Sequence, residues 1–190
     1  MASRIFLVRH GETAWSVSGR HTGRSDIPLT APGEEAARAL GPRMNAVAFS
    51  AVLTSPAQRA RRTCELAGLA RTAAIEPDLA EWDYGDYEGR RSAEILGERP
   101  GWMIFRDGCP GGETPEQVSD RADRLIARFR TMGGDVAAFS HGHFGRVLAA
   151  RWIGLHVVEA RGLLLNTASL SILGYEHDNP AEPVLALWNS

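Results

Sequence analysis

Ile5-Phe6-Leu7-Val8-Arg9-His10-Gly11-Glu12-Thr13 decides the fold. Its first four residues form a continuous, β-rich apolar run, the pattern of a strand buried on both faces, and the run ends abruptly in a guanidinium, an imidazole and a glycine. Two later stretches repeat the pattern. Ala51-Val52-Leu53-Thr54 runs into Ser55-Pro56-Ala57-Gln58-Arg59, and Val136-Ala137-Ala138-Phe139 runs into Ser140-His141-Gly142-His143. In an open α/β sheet, ligands bind at the carboxyl ends of the strands. The three segments would therefore bring His10, His141, Arg9 and Arg59 to one edge.

Helical patterns separate these strands. Glu34 to about Met44 places Ala36, Ala37, Leu40 and Met44 on one side, with Gly41-Pro42 as a kink or stop. Ser55-Pro56 reads as an N-cap followed by proline at the first helical position, opening a helix from Ala57 to about Leu69. Thr114-Pro115-Glu116-Gln117 is a capping box, followed by Val118, Ala122, Leu125, Ile126 and Phe129 and stopped by Gly133-Gly134. A further helix runs from Ser140-His141-Gly142 to about Ile153. Ala73 to Ile75 reads as a short strand, and the chain ends in two alternating strands, Ser169 to Tyr175 and Val184 to Trp188. Residues 9–33 are expected to be mostly loop, and 82–112 are rich in glycine and aromatics with one short helix near Ser92 to Gly97. Strands alternating with helices predict a three-layer α/β/α sandwich with a mostly parallel central sheet. No repeat or linker divides residues 1–190, so a single domain is expected.

Composition removes whole classes of chemistry. The 21 basic residues are all arginine, against 23 acidic ones, for a net charge of −2. Without lysine, Walker-type phosphate loops, protein-kinase sites, Schiff-base aldolases and pyridoxal-phosphate chemistry are excluded. Near-neutral charge argues against nucleic acid as the main partner. Cys64 and Cys109 make no disulfide framework, and the apolar run after Met1-Ala2-Ser3-Arg4 is too short for a signal peptide or a membrane span, so a cytoplasmic location is expected. The sequence is compatible with a homo-oligomer.

A lone histidine after a strand is commonly structural. Two imidazoles and two guanidiniums at one sheet edge would repel each other without an anion between them. Arginine's planar fork suits phosphate, and helix starts after Ser55 and Ser140 add backbone N–H groups and positive dipole ends. The nucleophile of such a pocket is an imidazole, and neighbouring arginines would keep it neutral. A cysteine phosphatase needs arginine six positions after its cysteine, but Ala70 follows Cys64 and Pro115 follows Cys109 at that distance. His141-Gly142-His143 has Gly145 where the usual metallohydrolase pattern has aspartate, so no metal site and no cofactor are expected.

These residues resemble the histidine phosphatase superfamily, also called phosphoglycerate mutase-like. The resemblance rests on Leu7 to Thr13, Pro28-Leu29-Thr30 with Gly33, Ser55-Pro56 with Arg59-Ala60 and Thr63, Glu81 with Gly85 and Glu88-Gly89, and Ser140-His141-Gly142. It runs in order through nearly the whole chain. Trp15-Ser16 to Thr22-Gly23, Glu81 to Gly89, Arg106 to Cys109 and His141 to Arg146 are similar to the sedoheptulose-1,7-bisphosphatase group and to a mycobacterial acid phosphatase. The resemblance implies a phosphomonoesterase acting on small phosphorylated substrates, sugar phosphates or bisphosphates. His10 would be the nucleophile, with Arg9, Arg59 and His141 holding the phosphoryl oxygens. Glu81 would be the proton donor, its pKa raised by flanking Trp82 and a dianionic substrate, with Asp83 as fallback. Ser16 and Thr22 stand where many members have Asn and a Gln, and would be shorter phosphate contacts. Tyr84, Arg106, His143 and Arg146, together with Glu12 and Thr13, would shape the pocket or hold a distal anionic group. A mutase using the same phosphohistidine and a non-catalytic phospho-ligand binder remain as alternatives. Mutases of the family are typically longer, which favours hydrolysis.

Overall fold

The computed structural model describes residues 3–190; Met1 and Ala2, which open the segment expected to carry no export signal, lie outside the described residues. Six strands form one sheet: β1 (Ile5–Arg9), β2 (Phe49–Thr54), β3 (Ala73–Ile75), β4 (Asp135–Ser140), β5 (Leu170–Tyr175) and β6 (Pro183–Leu187). Their order across the sheet is β3-β2-β4-β1-β5-β6. β1, β4, β2 and β3 run parallel, β5 is added antiparallel beside β1, and β6 antiparallel beside β5. The sheet is therefore mostly parallel, as expected, and the antiparallel edge is the terminal hairpin.

Alternation along β1 divides the core into two layers. Ile5 and Leu7 face a cluster built from α7 (Pro115–Thr131), α8 (Gly142–Trp152) and the aromatic segment 82–112. Phe6 and Val8 face a second cluster containing Leu40, Met44, Cys64 and Ala67. That second layer holds α2 (Ala31–Ala39), α3 (Gly41–Asn45) and α4 (Gln58–Leu66). A sheet covered on both faces has no solvent-facing side, which is why β1 and β4 carry continuous apolar runs rather than alternating ones.

Several boundaries differ from the sequence reading, each for a local reason. The stretch expected as loop contains α1 (Ala14–Ser18), a five-residue helix closed by a Thr13/Ser16 capping box and a left-handed Gly19. α2 starts three residues before Glu34, because Thr30 caps it and Pro32 lies in its first turn. Gly41-Pro42 then ends one helix and opens the next. Ser55 does not cap α4; that cap is Ala57, whose methyl group offers no acceptor, while Ser55 Oγ accepts from Ala57 N one step earlier and bonds His141. The aromatic segment contains two helices, α5 (Ser92–Glu98) and the unexpected α6 (Ile104–Asp107). Among the described residues no helix is long and apolar enough to cross a membrane.

Candidate active site

Because β1, β4 and β2 are parallel neighbours, their carboxyl ends open onto one edge, where Arg9 and His10, Ser140 and His141, and Ser55 follow the strands. The His10 and His141 rings meet edge-on with centroids 5.1 Å apart. His10 is 5% exposed and its Nδ1 lies 2.7 Å from the Gly11 carbonyl oxygen. A carbonyl can only accept, so Nδ1 carries the proton and Nε2 keeps its lone pair. Burial, reinforced by Arg59 and Arg9, holds the pKa of His10 well below that of an ordinary imidazole. His10 is thus a neutral imidazole with one fixed tautomer. The direction is the one expected, but burial rather than the arginines is the first cause.

Two guanidiniums and a second imidazole lie near it, all incompletely partnered. Arg59 is fully buried; its Nη1 donates to Ser25 O, and its Nη2 to Thr22 O and Gly23 O. Glu88 accepts from the N–H groups of Gly23 and Ser25, so a cation and an anion grip loop 22–25 from opposite sides. Arg9 donates through Nη1 to Leu165 O. His141 shares a 2.7 Å bond between its Nε2 and Ser55 Oγ. After these bonds, Arg9 Nε, Arg59 Nε and His141 Nδ1 are buried without a hydrogen-bond partner. Orphaned buried nitrogens are costly and uncommon. Donors of this kind beside a neutral imidazole suit an anion's oxygens.

Glu81 comes from the irregular segment before Trp82 and reaches across to the start of α8. Its Oε1 accepts from the N–H groups of Trp82 (2.9 Å) and Phe144 (2.8 Å), and its Oε2 from that of His143 (3.0 Å). Oε2 has the single partner, so it has room for a proton that could be passed to a ligand. The indole of Trp82, expected to flank this carboxyl, lies in the core against Phe105 and donates to Glu113 O. Asp83 is ion-paired to Arg24 at 2.6 Å and lines a neighbouring cavity of about 490 Å³ that Glu81 and His141 also line.

Arg9, His10, Ser16, Thr22 and Glu81 line one cavity of about 240 Å³, joined by Tyr84, His143 and Arg146. Arg59 and His141 do not line it: both are fully buried, and His141 borders the neighbouring cavity of about 490 Å³. The Ser16 hydroxyl also closes the α1 capping box, and Thr22 Oγ1 donates to Arg20 O. The Tyr84 hydroxyl bonds His143 Nδ1 at 2.7 Å, while the Arg146 guanidinium lies over Phe105 and donates to the carbonyls of Ala160 and Arg161. Glu12 Oε1 accepts from Thr30, and Thr13 caps α1, so both brace the loop. Arg106 stands apart, exposed and tied to Asp107 and Gly101 O. The sequence reading missed His21, which lines the cavity, stacks on Tyr84 at 4.7 Å and has its pKa pushed down to about 4 by burial. It also missed Arg121 and Glu113, which sit beneath Glu81. Among the described residues no group of three or more His, Cys, Asp or Glu side chains is arranged to hold a metal ion.

The fold and site together define a class: an α/β protein with a neutral histidine set in an arginine-lined anion receptor. Residues 5–190 match the model of the histidine phosphatase superfamily, branch 1. An acid phosphatase of Mycobacterium tuberculosis is 40% identical, the match covering 97% of this chain and 92% of that protein. Sedoheptulose 1,7-bisphosphatase of Saccharomyces cerevisiae is 32% identical, with 98% and 93% covered. A solved Mycobacterium tuberculosis structure superposes with a TM-score of 0.92 at 40% identity, over 98% of this chain and 97% of that one. The chain belongs to the histidine phosphatase superfamily, as a phosphoric monoester hydrolase of the histidine acid phosphatase type.

Proposed function

We propose that this enzyme hydrolyses small phosphorylated metabolites, sugar phosphates or bisphosphates, through a phosphohistidine on His10 and without a metal ion. The observation that carries the reading is the set of three buried, unpartnered nitrogens, Arg9 Nε, Arg59 Nε and His141 Nδ1, around an imidazole whose protonated nitrogen is fixed by Gly11 O. In the first step His10 Nε2 forms a bond to phosphorus as the bond to the leaving oxygen breaks. The two guanidiniums and His141 balance charge on the phosphoryl oxygens. Glu81 gives its proton to the leaving oxygen; the resulting carboxylate then takes a proton from the water that attacks the phosphohistidine. Inorganic phosphate leaves, and His10 and Glu81 return to their starting forms. The sugar-phosphate reading is supported by the likeness to a sedoheptulose bisphosphatase. A cytoplasmic location fits the two buried, free cysteines, whose thiol pKa values burial raises to about 12. Neither nucleic acid nor a membrane is proposed as a partner.

The test is phosphate release from a panel of phosphomonoesters, including sugar bisphosphates, with chelator present and His10→Ala as control. Release is expected to persist with chelator and to disappear with His10→Ala, along with acid-labile labelling of the protein. Activity lost to chelator, or surviving the substitution, overturns the proposal. Primer-dependent isomerisation of 3-phosphoglycerate with little phosphate released would make the enzyme a mutase, and ester binding without turnover a binder.

A further inference from the structure

Arg121 lies in α7 and is 8% exposed. A guanidinium has five N–H donors, and here each has an acceptor. Nε donates to Glu113 Oε1 (2.9 Å), Nη1 to Asp78 O (2.9 Å) and Ala80 O (2.7 Å), and Nη2 to Glu113 Oε2 (2.8 Å) and Glu81 O (3.3 Å). The guanidinium carbon also sits 4.2 Å from the centre of the Phe144 ring. Phe144 is the residue whose backbone N–H donates to Glu81 Oε1 at 2.8 Å. One cation therefore holds the backbone of Glu81 on one side and the first turn of α8, which receives the Glu81 carboxylate, on the other.

Glu113 completes the arrangement. Its Oε2 accepts from the N–H of Asp83, and its backbone oxygen accepts from the indole of Trp82. Residues 78–83 are mostly irregular, so no strand ladder fixes where Glu81 stands; the Arg121–Glu113 pair fixes it at four points. Even a half-buried ion pair costs desolvation, and a full set of hydrogen bonds on Arg121 offsets that cost. A pair so placed has a positional use: a general acid displaced by about 1 Å loses on the order of a hundredfold in rate.

We infer that Arg121, with Glu113, is the positioning residue that sets Glu81 for proton transfer to the leaving oxygen. The inference rests on the proton-handling role proposed above for Glu81. It has a signature that a merely structural role lacks. Protonation matters when the leaving group is a basic alkoxide and matters little when it is a stable phenolate. Loss of position should therefore slow alkyl phosphates selectively, whereas loss of fold slows every substrate alike.

The experiment measures kcat/KM for glycerol 3-phosphate and for 4-nitrophenyl phosphate in the wild type, Arg121→Lys, Glu113→Gln and Glu81→Gln, with urea unfolding to fix the folded fraction. For Arg121→Lys the alkyl ester is expected to lose about ten- to a hundredfold and the nitrophenyl ester less than about threefold. Glu113→Gln follows in the same direction, and it reads the same ratio where Arg121→Lys does not fold. Equal losses on both esters, or no loss on either, overturn the inference. If Glu81→Gln is selective for the alkyl ester and the two positioning variants are not, the inference falls and the role of Glu81 stands. If Glu81→Gln itself shows no selectivity, both fall.

Discussion

Gly11 and Gly33 are required by contact rather than by backbone angle. A Cβ on Gly33 would stand 2.2 Å from Glu12 O and 2.7 Å from Glu12 N, and one on Gly11 would stand 2.4 Å from Gly33 O. All of these are backbone atoms, so no side chain can swing aside, and α2 would have to lift off the turn that carries His10. Gly33→Ala is therefore expected to cost about 2–3 kcal/mol, in the range of core overpacking, and to lower kcat/KM as the His10 turn shifts. Gly97 is the contrast: it lies in α5 with nothing within 4 Å, so Gly97→Ala should be stabilising by about 0.5–1 kcal/mol through helix propensity. Urea denaturation with kcat/KM on the same preparations separates the two, and an unperturbed Gly33→Ala would show the contact to be soft. At this scale Arg9, His10 and His141 are readable because each ends or directly follows an apolar strand, whereas Glu81, in an irregular segment, is reached only through the family resemblance. His21 is not readable, because its burial comes from Tyr84 and Trp102, far along the chain. Arg121 reads in sequence as one more charge on an amphipathic helix, and only the packing of residues 78–83 against α7 gives it a task.

Single elements repeat this division. β1, β4 and α7 declare themselves, since continuous apolar runs and a capping box before a 3.6-residue repeat are local signals. α1 and α6 do not, having five and four residues, too few for a period to emerge. α1 exists because of its ends: Thr13 Oγ1 accepts from Ser16 N, Ser16 Oγ accepts from Thr13 N, and Gly19 turns left-handed at φ 71°. Because Ser16 both closes this box and lines the cavity, the cap and the ligand site share a residue. Thr13→Val keeps the shape of a fully buried side chain while removing its oxygen. The expected cost is about 1 kcal/mol of stability, the usual worth of an N-cap. The functional mark is a KM raised several-fold with kcat close to wild type, because His10, Glu81 and the arginines are held by other elements. Steady-state kinetics with thermal unfolding checks this, and a fall in kcat with KM unchanged would mean that α1 supports the chemical step rather than binding.

For the molecule as a whole, placing the site at the sheet edge between two packed layers buries three imidazoles, His10, His21 and His141, and half-buries a fourth, His143. His10, His141 and His143 are held well below their ordinary pKa by burial first, and His21 is lowered to about 4 by the same cause. In the unfolded chain a histidine titrates near pH 6.5, so below about that pH the unfolded state binds more protons than the folded one. The sign follows: this contribution to stability is full above pH 6.5 and is lost as the pH falls, until each group reaches its folded pKa. Each such histidine removes about 1.4 kcal/mol per pH unit within its window, which for His21 runs from about 6.5 to about 4. Unfolding free energy measured by urea at about pH 7, 6, 5 and 4.5 should therefore fall with a slope of several protons. His21→Phe keeps an aromatic ring against Tyr84 and Trp102 but cannot titrate, so its slope between about pH 6 and 4.5 should be shallower by about one proton, whatever its absolute stability. An unchanged slope would mean that His21 gains a proton without unfolding, and that the cavity it lines admits charge at acidic pH. The same burial acts oppositely on function, because it favours the neutral form of His10 while it weakens the fold in acid. With His10 as the proposed nucleophile, activity lost on acidification is therefore expected to track unfolding, which parallel activity and unfolding curves against pH would check.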